Sequence, residues 1–258
     1  MAAPSVTTGR QARLVGHAFT LAFIAVWALY ARNVEAYVLP GPLQVAERFV
    51  AFFGDLDLIG HMLVSFAHIG AAIAISFVIG TGLALLAYYV PVTNLMIHGR
   101  LSPFLNSFSG VGWTLLAVLW FGVDHVTVIF AISAVLTPFA IINMREGLDN
   151  LDPEFLEMSR SFTRNRWRQF WKIVVPSLYP FMFATLRISF GVSWKVTLTA
   201  ELFGGNAGLG YLFNLARQAF DTTLIIVVIV IIICFVYGTD RFIFQPVQAR
   251  LERHHGLA

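Results

Sequence analysis

Apolar residues run along this chain in long unbroken stretches, not in alternating faces. The first covers 14–31, follows Arg10 and Arg13, and ends in Leu29, Tyr30 and Arg32. A cleaved signal has an apolar core of only about 7–15 residues that closes on small residues. The longer run here predicts a retained first span. Further spans are predicted over 62–90, 101–121, 125–144, 177–203 and 222–244, on the basis that about 20 apolar residues cross a bilayer as a helix. The second span is rich in small residues (Ala67, Gly70, Ala71, Ala74, Gly80, Gly82), which let helices approach closely in lipid. The third is interrupted by Ser107-Phe108-Ser109-Gly110-Val111-Gly112. Glycine at that depth weakens a helix, and serine re-satisfies freed backbone groups. Leu39-Pro40-Gly41-Pro42 predicts a turn. The stretch from Leu43 to Phe53, with Val45, Phe49, Phe52 and Phe53 at helical spacing, predicts a helix along the membrane surface. Gly204 to Gly210 reads as a loop by composition.

Composition agrees with this pattern. Of 258 residues, 58% are hydrophobic and 12% charged, where a soluble domain carries about 25% charged residues. The expectation is an all-α integral membrane protein with about six transmembrane helices in one domain over 1–258. The net charge is +3, but its placement says more. With six spans both termini share one side, and that side holds Arg10, Arg13, Arg100, Arg145, Arg160, Arg164, Arg166, Arg168, Lys172, Arg241, Arg250 and Arg253. Arg32, Arg48 and Arg217 stand on the other. That bias predicts cytoplasmic N and C termini and a cytoplasmic 145–176 loop. The basic residues flank apolar runs and form no solvated stripe, so nucleic acid is not the expected partner. The single cysteine, Cys234, lies inside an apolar run and has no intrachain partner for a disulfide.

The 145–176 loop has its own punctuation. Asp152-Pro153-Glu154 starts a helix well: Asp caps, Pro suits the first position, and Glu favours the positive end. Phe155, Leu156, Ser159 and Phe162 would share one side. A break is predicted at Thr163-Arg164-Asn165. A second short helix would carry Trp167, Phe170, Trp171 and Val174 on one face, before Pro176 opens the fifth span. A plain interfacial tether needs less than a helix-break-helix, which is well shaped to dock into a groove on a soluble partner.

Glu157-Met158-Ser159-Arg160-Ser161-Phe162, then Arg166-Trp167, then Val175-Pro176, resembles the loop motif of binding-protein-dependent ABC importer permeases. The resemblance extends through Leu186-Arg187-Ile188, Ser193-Trp194-Lys195, Ala200-Glu201 and Gly208-Leu209-Gly210-Tyr211. Upstream it touches Leu39-Pro40-Gly41-Pro42, Leu119-Trp120-Phe121-Gly122 and Gly147-Leu148. It is most similar to the branch importing nitrate, sulfonates and taurine. Departures are visible. Met158-Ser159 stand where the family reads Ala-Ala, Thr163 where it has glycine, and His68 where it has an Arg near the start of the second span. Of a proline-rich third region only Pro103 remains.

What the resemblance implies is a permease with a coupling helix. Asp152, Pro153, Glu154, Phe155, Glu157, Met158, Ser159, Ser161, Phe162, Thr163 and Arg166 would contact a cytoplasmic ATPase, whose closure switches the membrane domain between inward- and outward-facing states. The chain has no Gly-x-x-x-x-Gly-Lys-Ser/Thr phosphate loop, so ATP and Mg belong on a partner ATPase and no cofactor on this chain. A periplasmic or lipid-anchored solute-binding protein and a second copy of the chain are the other expected partners. The expected location is the bacterial inner membrane.

Four residues of the fifth span carry polarity into an apolar run. On an ideal helix Arg187, Trp194, Lys195 and Glu201 lie within an arc of roughly 120°. Together with Ser107, Ser109, Gly110, Gly112 and Trp113 of the broken third region, they are the candidate translocation path, whose cations favour a small anion. A structural pairing of Arg or Lys with Glu is the equal alternative, because an intramembrane charge faces either a cavity or a partner. His61 and His68 share a helix face, but no carboxylate lies at helical spacing between them, so no metal site is expected. No Ser-His-Asp set, catalytic acid pair or Cys-x-x-Cys appears, which argues against a membrane enzyme. An ATPase-independent secondary transporter or channel would show two related halves with matching broken helices, and no such repeat is present.

Overall fold

The computed structural model describes residues 9–35, 37–151 and 165–248, and among them every regular element is helical. Nine helices follow in chain order: α1 Gly9–Ala31, α2 Pro42–Phe52, α3 Leu56–Tyr89, α4 Pro91–Ser107, α5 Gly110–Phe121, α6 His125–Asp149, α7 Trp167–Gly204, α8 Leu209–Gln218 and α9 Thr222–Gln248. Five are long and apolar enough to cross a membrane, six if the bent pair α4–α5 is one span.

α6 is the centre of the molecule. Val128, Ala131, Ile132, Leu136 and Ile141 on it are fully buried, enclosed by α3, α5 and α7. The small residues of α3 allow this closeness. A Cβ added at Gly80 would stand 2.4 Å from the Ala140 Cβ, so the two backbones touch there. α1 lies at the other extreme: none of the described side chains of Leu14–Ala31 is buried. Its indole Trp27 Nε1–H donates to the Pro40 carbonyl at 3.1 Å, which pins it to the turn before α2. Val45 and Phe52 of α2 are buried in a cluster with Val227 and Val228 of α9, so the helical spacing seen in the sequence is used.

Several expected boundaries move. α3 begins at Leu56, ahead of the expected Met62, because the Asp55 carboxylate caps it, accepting from the Asp57 and Leu58 N–H groups. The third region starts at Pro91 and not at 101. Its break falls at Phe108–Ser109, where α4 and α5 meet at 87°, and Ser109 Oγ caps α5 by accepting from Gly112 N–H at 3.2 Å. Gly110 and Gly112 are therefore in the first turn of α5 and not in a loop. The expected separate second loop helix is instead the start of α7, which runs continuously from Trp167 into the fifth span. The expected loop 204–210 is a turn only over 205–208. The amphipathic α8 follows it, burying Leu209, Leu212 and Ala216.

Pro176 does not break α7, and the reason recurs. π turns lie at Ile97–Leu101, Phe170–Val174 and Asp240–Phe244. Each is followed two positions later by a proline: Pro103, Pro176 and Pro246. Val175 N–H, for example, reaches back to the Phe170 carbonyl. Proline offers no N–H and its ring crowds the carbonyl four residues earlier. A widened turn just upstream makes room for the ring while the helix continues. Pro138 and Pro180 lie inside α6 and α7 without such a turn.

Candidate functional site

Asp152, Pro153, Glu154, Phe155, Glu157, Met158, Ser159, Ser161, Phe162 and Thr163 lie outside the described residues, as does the side chain of Arg166. The flanks are defined. α6 ends at Asp149, and Asn165 caps α7, its Oδ1 accepting from the N–H groups of Trp167 (3.0 Å) and Arg168 (3.3 Å). Of the expected break at Thr163-Arg164-Asn165 only Asn165 is described, and it is the cap of α7.

The broken third region and the fifth span do meet. A Cβ added at Gly110 would sit 3.2 Å from Val196 Cγ1, so the start of α5 rests on α7 one residue from Lys195. Trp113 braces the bend. It is buried, its Nε1–H donates to the Leu105 carbonyl of α4 at 3.1 Å, and its ring meets Phe104, Phe108 and Phe130. Ser107 and Ser109 are exposed at the break, and Ser107 Oγ donates to the Pro103 carbonyl at 2.7 Å.

The expected polar stripe on α7 divides among four environments. Lys195 is exposed and has no ion pair among the described residues. Trp194 is 2% exposed and packs between Phe66, Phe190 and Phe235. Arg187 pairs with Asp240 of α9 at 2.8 Å and also donates to Gln248. Glu201 is fully buried. In this state Trp194 and Glu201 face their own chain, and Arg187 is engaged in a pair. The reason is that α3, α8 and α9 all pack on the side of α7 that carries them.

Glu201 anchors a polar cluster that sequence reasoning missed. Ser65 Oγ donates to its Oε2 at 2.8 Å, Gly210 N–H donates to the same oxygen at 2.8 Å, and His68 Nδ1 lies 2.8 Å from its Oε1. His68 Nε2 in turn lies 2.8 Å from His125 Nδ1. Leu209 N–H donates to Ser65 Oγ at 2.7 Å, and Gly208 N–H donates to His61 Nδ1 at 3.1 Å. A buried carboxylate is tolerable only with such donors, and the start of α8 supplies a favourable helix end. Two glycines make the approach feasible. A Cβ at Gly208, whose φ is +112°, would fall 2.2 Å from the Glu201 carboxylate carbon, and one at Gly210 would fall 2.4 Å from the Leu198 carbonyl oxygen. The available signal was His61, Ser65 and His68 on one helix face, at spacings of four and three residues. Among the described residues no group of three or more His, Cys, Asp or Glu is arranged to hold a metal.

Residues 18–245 match the family described as binding-protein-dependent transport system inner membrane component. The chain is 30% identical over 228 residues to the transport permease SsuC of Bacillus subtilis, named for aliphatic sulfonates, covering 85% of this chain and 80% of that one. It is 28% identical over 208 residues to the formylaminopyrimidine transport permease protein ThiX of Halalkalibacterium halodurans, covering 79% and 81%. Its fold resembles a chain in inward-facing crystals of the MetNI methionine ABC transporter, with TM-score 0.62 and 16% identity over 77% of this chain and 95% of that one.

Proposed function

The chain belongs to the binding-protein-dependent transport system inner membrane components, the permeases of ABC importers, and from that membership we propose that it forms the translocation path for a small anion. A homodimer would enclose the path, with ATP and Mg held by a separate ATPase. A periplasmic or lipid-anchored binding protein would deliver the solute. The reading places both termini and the 145–176 loop in the cytoplasm of a bacterium, with the chain in the inner membrane. The ATPase would act on the loop residues Asp152 to Thr163.

Family membership alone does not choose the solute, because one relative is named for sulfonates and another for a formylaminopyrimidine. The observation that carries the anion reading is Lys195. It is exposed within the apolar α7, unpaired among the described residues, beside a break that exposes Ser107 and Ser109. A lysine facing hydrocarbon costs at least about 2.5–3.5 kcal/mol at mid-span. That cost vanishes if Lys195 and its copy in the second protomer face a watery path. A fixed cation there offsets the loss of hydration of an anion in transit. Glu201 and Trp194 serve the fold beside the path instead of lining it.

The test is reconstitution. The permease is placed in proteoliposomes with its ATPase and binding protein, and ATP-dependent uptake of taurine, nitrate and a neutral pyrimidine is compared. Anion uptake that falls at least tenfold in Lys195→Gln, with assembly intact, supports the reading. Anion uptake indifferent to Lys195→Gln, or uptake only of the neutral solute, removes the anion path. Uptake without ATP makes the chain a secondary transporter.

A further inference from the structure

Polar side chains of α4 and of the end of α6 meet in a cavity of about 280 Å³. His98, Ser102 and Asn106 recur every fourth residue along α4 and share one side of it. Arg145 faces them from α6, and Pro103 and Ile142 complete the lining. Arg145 Nε donates to Asp149 Oδ2 at 3.3 Å, and neither terminal nitrogen of the guanidinium has a partner among the described residues. The same holds for hydrogen bonds of the His98 ring, the Asn106 amide and the Ser102 hydroxyl. Ser102 is only 4% exposed. A hydroxyl that deep without a partner calls for a ligand or an ordered water.

We propose that this cavity binds a small oxyanion (a sulfonate, sulfate or phosphate group) and is a second station for the anion of the path, beyond the break at Phe108–Ser109. Its chemistry is one of donors. The edge of the Arg145 guanidinium left free by Asp149 offers parallel N–H groups to two oxygens of one anion. Ser102 adds an O–H, Asn106 an NH2 and His98 a ring N–H. No carboxylate lines the cavity. Asp149 sits at the Nε side of the guanidinium and orients it. A volume of about 280 Å³ lies just below the range of about 300–1,000 Å³ usual for small-molecule sites, which suits an ion of a few heavy atoms.

The cavity continues the polar track from Lys195. Asn106 adjoins Ser107, both exposed, and Ser109 caps α5, whose start rests on α7 beside Lys195. From Asn106 back to His98, α4 covers roughly 12 Å. A larger cavity of about 590 Å³, lined on α4 by Leu101 and Leu105, offers an ion little, because the hydroxyls of Ser133 and Thr137 in its wall already donate to backbone carbonyls. Arg145 stands one turn before the end of α6 at Asp149, next to the loop placed above in the cytoplasm. The role as a station rests on that permease reading, while oxyanion binding by these side chains does not. A lipid phosphate carries the same oxygens but arrives from the bilayer.

The full chain is placed in nanodiscs of phosphatidylcholine alone, and binding of radiolabelled inorganic sulfate is measured. Arg145→Gln should weaken binding about tenfold through loss of the charged donor. Asn106→Asp sets a carboxylate against the anion and should weaken it at least as much. Both residues are exposed, so neither change should move thermal unfolding by more than a few degrees. Lys195→Gln should leave the Arg145-dependent binding in place. No sulfate binding by the native chain, or native affinity in Arg145→Gln and Asn106→Asp, overturns the site. If the native chain binds no sulfate but retains phosphatidylglycerol through purification, and Arg145→Gln does not, the cavity holds a lipid headgroup and the station is overturned. In the reconstituted transporter, anion uptake should fall about tenfold in Asn106→Asp, since like charges repel. Native uptake in that variant takes the cavity off the path. If no anion is taken up but sulfate binding depends on Arg145, the anion path of the permease fails and the binding site stands.

Discussion

Arg187 and Asp240 stand 53 residues apart in the chain and 2.8 Å apart in space, joining α7 to the end of α9. Their side chains are 34% and 38% exposed, so in water such a pair would contribute at most about 1 kcal/mol. Thermal unfolding in detergent should fall by a few degrees in Arg187→Asp. It should recover most of that loss when Asp240→Arg is added. A double variant no more stable than Arg187→Asp alone would show that the pair is incidental.

Gly80 and Gly82 make a matched contrast. A Cβ at Gly80 meets Ala140 at 2.4 Å, and one at Gly82 meets nothing within 4 Å. Gly80→Val should destabilise by about 1–3 kcal/mol through forced separation of α3 and α6, while Gly82→Val leaves stability within about 0.5 kcal/mol. Equal yields and melting of the two purified variants would refute the close contact.

Trp113 holds the 87° bend with one hydrogen bond and a set of ring contacts. Trp113→Phe should lose about 1 kcal/mol with the bond to Leu105. Trp113→Ala should lose about 3–5 kcal/mol with the buried ring and raise hydrogen exchange at 105–113. Unchanged exchange there in Trp113→Ala would mean that the bend is held by something else.

Glu157 carries the negative charge of the loop motif. In Glu157→Lys, uptake should fall at least tenfold while the protein still inserts and the solute-binding protein still associates. Full uptake with normal ATPase co-purification would remove the loop from the ATPase contact.

The sequence was most readable where one physical signal acted alone. Long apolar runs gave α1, α6 and α9 to within a few residues at most ends, and Ser107 to Gly112 marked the bend in the third region. Ends set by hydrogen bonding were harder to see. Asp55 extends α3 past a polar stretch, and Asn165 starts α7 ahead of Pro176, the residue expected to open the fifth span. α8 was hidden because its glycines read as loop, although Leu209, Leu212 and Ala216 follow helical spacing. The stripe on α7 failed for another reason. Angular position on one helix says which residues share a face, not which neighbour covers it. Glu201 is covered by α3 and α8, elements far away in sequence, whereas Lys195 is left open.

The three π turns have a consequence for shape. A π turn is an α-helix with one residue inserted, so side chains before and after it are out of phase by about 100°. In α7 the insertion at Phe170–Val174 leaves Trp167 about 100° from the face that carries Arg187, where an unbroken α-helix of the same sequence would set it about 160° away. Deleting one residue within Phe170–Val174 would restore a regular α turn with both halves in their present orientation, so the π turn lets α7 carry an extra residue before Pro176 without turning the face that holds Lys195.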